Sequence, residues 1–203
     1  MGQIDNQMQK NMEPQLAPPG AGLTWFQHII LKYYVGPFVS NRTTRDESKR
    51  RFDKIVSLIT AELSSLSSEQ LLQKKLVPPM MGLEDSSRYW SVAMTLEHIV
   101  IVGRAMCSVI LCLQRGETPN FVADVAKVKP LGHMTQQQAI KEFNTFVSVD
   151  YPKMNKEFQD FENKSRFFHP WFGAIKPKQW YWLITTHTAI HLNQIREIKK
   201  LIN

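Results

Sequence analysis

Apolar positions recur at helical spacing through most of the chain. Over residues 46–66, Phe52, Ile55, Val56, Ile59 and Leu63 share one helix face, and Thr44 with Glu47 has capping-box spacing just ahead of them. A second helical pattern covers residues 87–114 and stops before Gly116, a residue type that commonly ends helices. A third covers residues 135–163, opened by another capping-box pair, Thr135 and Gln138. Pro152 lies inside it after Tyr151 and should kink or break it, because proline has no N–H to give the helix ladder. The fourth runs over residues 177–201 from Pro177, a favourable first-turn residue. No alternating β-type run competes with these, so the pattern predicts an all-α four-helix bundle whose core spans residues 45–203.

The segments outside the helices differ in character. Residues 1–22 are rich in Gln, Asn, Pro and Gly and are expected to form a flexible N-terminal arm with no core of its own. Residues 23–40 carry Trp25, Phe26, Ile29, Ile30, Tyr33 and Tyr34 at helical spacing and predict a short extra helix, broken at Gly36-Pro37 and laid on the main body. Residues 23–203 are therefore expected to make one domain. Residues 77–86 are a Pro/Met/Gly link, and residues 115–134 form a long connection without a pattern of its own. Loops of that length in compact domains usually serve as lids or binding segments.

Composition narrows the function classes. At 203 residues, with 43% hydrophobic and 21% charged residues, the chain has an ordinary globular balance and is long enough to bury a core. Cys107 and Cys112 are too few for a disulfide-built fold. Five apart on a predicted helix, they are separated by a rise of roughly 7.5 Å and cannot pair with each other. Two unpaired thiols and the absence of an apolar run before Pro14 predict a cytoplasmic protein. The most apolar stretch, residues 96–113, includes Glu97, His98 and Arg104, which argues against a membrane span. The net charge of +7 and a pI near 9.4 favour an acidic partner. Basic residues cluster at Arg42, Arg45, Lys49, Arg50 and Arg51 and at Lys176, Lys178, Lys199 and Lys200, but no RNP, zinc-finger or basic-zipper motif accompanies them. They read as solvated helix faces, and no nucleic-acid partner is expected.

The candidate chemistry lies in the histidines. His187 and His191 are four apart on the last helix, one turn from each other on one face, and fall within the apolar stripe of Trp180, Leu183, Ile184, Ile190, Ile195 and Ile198. His98 sits among Met94, Ile101, Val102 and Ala105 on the second helix, again on the inward face. A lone histidine on an apolar face is commonly a core residue bonded to a carbonyl. Three that converge, kept neutral by burial, each have a lone pair to place, and one divalent ion accepts all three while leaving coordination positions open. HExxH and Glu-x-x-His are both absent, which removes the zincin and paired di-iron designs.

The second helix opens Trp90-Ser91-Val92-Ala93-Met94-Thr95-Leu96-Glu97-His98. The end of the chain reads His169-Pro170-Trp171-Phe172-Gly173, then Gln179-Trp180, then His187-x-x-x-His191-x-x-Gln194-Ile195. Over residues 45–200 the chain resembles the DinB/YfiT-like superfamily, in particular its branch with an HP-aromatic-FG turn before the last helix. The resemblance implies a DinB-like four-helix bundle, often a homodimer. It implies one divalent ion, nickel or zinc, held by His98, His187 and His191 with water completing the shell. The activities it implies are thiol S-transfer and hydrolysis, acting on a small-molecule substrate such as a low-molecular-weight thiol. The 1–40 extension departs from the family pattern. His169, at the entrance to the last helix, is a candidate for substrate contact or catalysis, and Gln194 for orienting a ligand. Glu97 precedes His98 and points roughly 100° away from it, so it is not expected to act as general base. His28 and His133 lie outside the motifs and read as ordinary loop or surface residues. The alternative to an enzyme is a non-catalytic bundle that binds a partner, with the aromatics of residues 23–40 as its adhesive surface.

Overall fold

The computed structural model describes residues 14–22, Ile29, Tyr33 and 42–202. The helix expected over residues 23–40 therefore lies, apart from Ile29 and Tyr33, outside the described residues, as does His28. Helix α1 (Arg45–Leu63) begins at Thr44, whose hydroxyl accepts from the Glu47 N–H, and buries Phe52, Ile55 and Ile59. Each such side chain removed from water stabilises the fold by about 1.5–3 kcal/mol. The helix stops three residues short of the expected end, at the Ser64 cap. A short helix, α2 (Ser68–Leu72), follows with a complete Ser67–Gln70 capping box that the apolar pattern had not revealed.

Two strand pairs, also absent from the pattern, frame the long helices. β1 (Lys75–Leu76) pairs antiparallel with β2 (Tyr89–Trp90), clamping the 77–86 link. β2 takes residues expected to begin the second helix, so helix α3 (Val92–Gln114) starts later, at the Ser91 cap that accepts from the Met94 N–H. β3 (Phe167–His169) and β4 (Gly173–Ile175) form a hairpin around Pro170-Trp171-Phe172. Gly173 turns it with φ +70°, a conformation that side chains other than glycine rarely adopt.

The third expected helix is broken at the foreseen place. Helix α4 (Gln136–Thr145) gives way to a π-helical turn over Phe146–Asp150, and helix α5 (Tyr151–Glu157) resumes with Pro152 in its first turn. Proline cannot donate to the Ser148 carbonyl, and the ladder slips by one residue so that the Tyr151 N–H bonds to the Phe146 carbonyl. Residues five apart would sit roughly 140° apart on an α-helix, whereas the wider turn brings Phe146 and Tyr151 towards one face. Both meet Phe52 of α1, Tyr151 stacked at 3.9 Å and Phe146 edge-on at 6.2 Å. The helix ends at Glu157 rather than near residue 163, because Phe158 turns extended at ψ 94°.

Helix α6 (Pro177–Ile202) closes the bundle, packing against α1 on one side and α3 on the other, while α4, α5 and the turn between them pack on α3 and reach α1 and α6 through Phe146 and Tyr151. Helix α3 is long and apolar enough to cross a membrane by length and composition, but most of it is buried inside the bundle. Its Arg104 pairs with Glu142 and Asp150 of the neighbouring segment. Several of the basic residues likewise face acids, including Lys49 with Asp53, Lys178 with Glu162 and Lys199 with Glu62.

Residues 14–22, expected to be loose, are instead fastened to the 3₁₀ turn at Asp85–Ser87 and its preceding residue. The Ala17 N–H donates to Asp85, and the Gly20 and Gly22 N–H groups donate to one oxygen of Glu84.

Gly103 lets the Phe146 ring lie directly on α3; a Cβ there would stand 2.3 Å from the ring. Gly103→Ala should therefore lower the unfolding free energy by about 1–3 kcal/mol through overpacking, despite alanine's better helix propensity. Phe146→Leu in the same chain should recover part of that loss, as measured by urea denaturation.

Candidate metal centre

Helices α3 and α6 bring His98, His187 and His191 to one point. His187 Nε2 lies 3.1 Å from His98 Nε2 and 3.2 Å from His191 Nε2. All three can offer ligand atoms within 4.8 Å of one another, and they could hold a metal ion. His98 and His191 are buried, while His187 keeps part of its surface accessible. Trp90, held by the β1–β2 pair, walls the group, with its ring 5.0 Å from His98 and stacked 6.0 Å from His191.

The protons are placed by what surrounds the rings. His98 Nδ1 lies 2.7 Å from the Val128 carbonyl, which can only accept, so Nδ1 carries the proton and Nε2 the lone pair. His191 Nδ1 lies 2.8 Å from Gln194 Oε1. Gln194 is oriented by its own Nε2, which donates to the Ser87 carbonyl at 2.7 Å, so its oxygen faces the imidazole and takes the Nδ1 proton. His191 Nε2 is then also a bare lone pair. Neutral His187 has one proton at most, so at least one of the two short N···N contacts sets lone pair against lone pair.

Protonation does not resolve the conflict. Burial pushes His98 well below the ordinary imidazole value, with the His191 and Lys129 charges acting in the same direction and the Val128 carbonyl opposing them. His187 is also pushed well below it, by burial and then by the neighbouring imidazoles. His191 is pushed down to about 4 by burial, although Gln194 acts the other way. A divalent cation satisfies all three lone pairs. Two nitrogens bound at roughly 2.0–2.1 Å and about 100° apart would stand about 3.1–3.2 Å from each other, the spacing present here.

His169 stands beside this group at the end of β3. Its Nδ1 accepts from the Trp171 N–H at 3.1 Å, and its ring packs 5.0 Å from Phe172 and 5.2 Å from Trp180. Burial pushes it down to about 3, so the ring is neutral with its proton on Nε2. Its charge, when present, is felt at His187. His133 is exposed and takes no part.

Several positioning groups had no signal in the sequence. The 115–134 connection folds over the start of α3, where Val128 meets His98 and the Leu131 and Gly132 N–H groups each donate to the buried Glu97 carboxylate at 3.0 Å. Glu97 thus anchors the loop. Lys129 from the same loop lies over the Trp90 ring, donates to Ser87 Oγ at 2.7 Å and pairs with Glu84. Burial opposes the Glu84 charge, but Lys129, the Ser86 hydroxyl and the Gly22 N–H together hold its carboxyl below the usual range.

No protein-family model matches the chain, and no curated protein matches it. Among solved structures, it is similar to TT2238, described as a four-helix bundle protein, at a TM-score of 0.54 and 19% identity. The match covers 75% of this chain and 98% of that one. The chain is a four-helix bundle. At this identity the likeness speaks for the fold alone.

Two outcomes follow from this geometry. Gln194→Leu removes the acceptor that fixes His191 and should weaken zinc binding about 10–100-fold, whereas Gln194→Glu, which keeps an acceptor, should lose less; competition with a chromophoric chelator reads both. For metal-free protein, the unfolded chain takes up protons near pH ~6.5 that His191 and His169 refuse when folded. Stability should be full above that pH. It should fall as the pH drops towards about 4 for His191 and about 3 for His169, by up to ~1.4 kcal/mol per unit for each group. Denaturation at pH 8, 6 and 4.5 measures the slope, and His169→Phe should flatten it.

Proposed function

We propose that this protein is a metal-dependent enzyme of the DinB-like kind, with nickel or zinc held by His98, His187 and His191. It would act as a thiol S-transferase or a hydrolase on a small-molecule substrate. The observation that carries the reading is the convergence of three Nε2 atoms, two of them stripped of their protons by the Val128 carbonyl and Gln194. A structural clip would more commonly be closed by four protein ligands, whereas three leave positions for water or substrate. The partly accessible edge of His187 supports access from outside.

When bound, the ion would supply Lewis-acid activation of a thiol, a water or a substrate carbonyl near neutral pH. The chain's own residues do the rest. His98 and His191 are held in one tautomer and orientation by their Nδ1 partners. Trp90 and the 115–134 connection keep bulk water from the back of the rings. His169 is neutral and keeps an Nε2–H, which suits it to donate a hydrogen bond to a substrate atom and not to act as a base near pH 7. Gln194 acts through His191 as a positioning residue.

Elemental analysis of untagged protein by inductively coupled plasma mass spectrometry tests this reading. About one equivalent of nickel or zinc is expected, lost in His187→Ala/His191→Ala, followed by turnover in a screen of thiols and hydrolysable esters and amides. Absence of metal in both proteins after incubation with excess ions would overturn it in favour of a non-catalytic binding protein.

A further inference from the structure

A cavity of about 670 Å³ adjoins the histidine group. That volume falls within the range typical of small-molecule sites. One wall is the α3 stripe through Val102, Ala105 and Met106, which begins one turn beyond His98. Another is Trp180 with His169, and Phe121 and Val128 of the long connection line a further side. Two of these residues adjoin the centre: Val128 gives its carbonyl to His98, and His169 lies within electrostatic reach of His187.

The lining is chiefly apolar; its polar side chains are Ser108, Asn120, Asp124, Lys127 and His169. His169 Nδ1 is occupied by the Trp171 N–H, so Nε2–H is the nitrogen left for a ligand. The charged residues, Asp124 and Lys127, sit on the exposed connection and face each other at 4.0 Å. The edge-on contact of Phe121 with Phe167, and the tilted contact of Phe167 with Trp180 at 6.0 Å, extend an aromatic wall along the same side. A ligand rich in carboxylates would lose its hydration here against aliphatic and aromatic groups, without an unpaired cation to meet it.

We propose that this cavity receives an uncharged aryl-sized portion of the substrate, oriented by a hydrogen bond from His169 Nε2–H to a neutral oxygen acceptor on that portion. This rests on the enzymatic reading for the identity of the occupant as substrate, and it assigns the substrate's hydrophobic half. A low-molecular-weight thiol with several carboxylates would then be at most the second reactant, outside this cavity.

The test is fluorine-detected NMR titration of the metal-free full chain with 4-fluoroacetophenone and with 1-ethyl-4-fluorobenzene, its match without the oxygen. The ketone should bind saturably and at least threefold more tightly than the hydrocarbon. Ala105→Phe, which fills the cavity, should weaken both at least fivefold. His169→Phe should bring the ketone down to the hydrocarbon's level and leave the hydrocarbon unchanged. Should Ala105→Phe fail to fold, nuclear Overhauser contacts from the ketone to the Ala105 methyl and the Trp180 indole N–H in the unaltered protein decide the same point. Absence of saturable binding, or ketone affinity untouched by Ala105→Phe and without those contacts, overturns the proposal. Because no metal is present, such a failure leaves the elemental analysis standing. Ketone binding by a protein that takes up no metal would keep the cavity and remove the metal centre.

Discussion

Two hydrogen bonds decide what the centre of this bundle can do. The Val128 carbonyl and the Gln194 amide each hold an imidazole by its Nδ1 proton, which leaves the opposite nitrogen bare and aimed at a common point. Without them, His98, His187 and His191 could share protons among themselves as an ordinary buried polar cluster. With them, neutral rings at 3.1–3.2 Å carry a surplus of lone pairs. The close packing of α3 against α6, both of which bury long apolar stripes in the core, does not let the rings move apart.

Gln194 lies on α6 beside the histidine it holds, but the other groups that enforce this arrangement come from connections. Val128 belongs to the long 115–134 segment, tied down by Glu97. Ser87, which sets the Gln194 amide, belongs to the 3₁₀ turn before β2. The β3–β4 hairpin sets His169 against Trp180. The helices supply a rigid frame and Gln194, and the loops fix the His98 tautomer through Val128 and the Gln194 orientation through Ser87.

Much of the frame was legible from periodicity, because the buried stripes of α1, α3 and α6 are long and regular. The break at Tyr151-Pro152 could be read from covalent chemistry alone, since proline's missing N–H does not depend on its surroundings. The meeting of His98 with His187 and His191 followed from each lying in an apolar stripe. Helix caps at Thr44 and Thr135 apart, what could not be read was the contacts made at the site by backbone carbonyl or amide groups. Val128, Ser87, Leu131 and Gly132 reach the site through atoms that every residue has, so their side chains announce nothing. The short strands failed to register for a related reason: two or three residues are too few to show alternation. Lys129 and Glu84, far apart in sequence, are paired only by the fold.

The same property governs how the N-terminal segment is joined to the body. Ala17, Gly20 and Gly22 hold Asp85 and Glu84 entirely through main-chain N–H groups. At Ala17 nearly any residue but proline would keep the attachment. Gly20 and Gly22, both at φ +85°, restrict substitution by backbone conformation and not by side-chain chemistry. Drift in this segment can therefore rewrite most of its letters while the strap stays fastened, and a comparison of side chains alone would overlook that it is a strap.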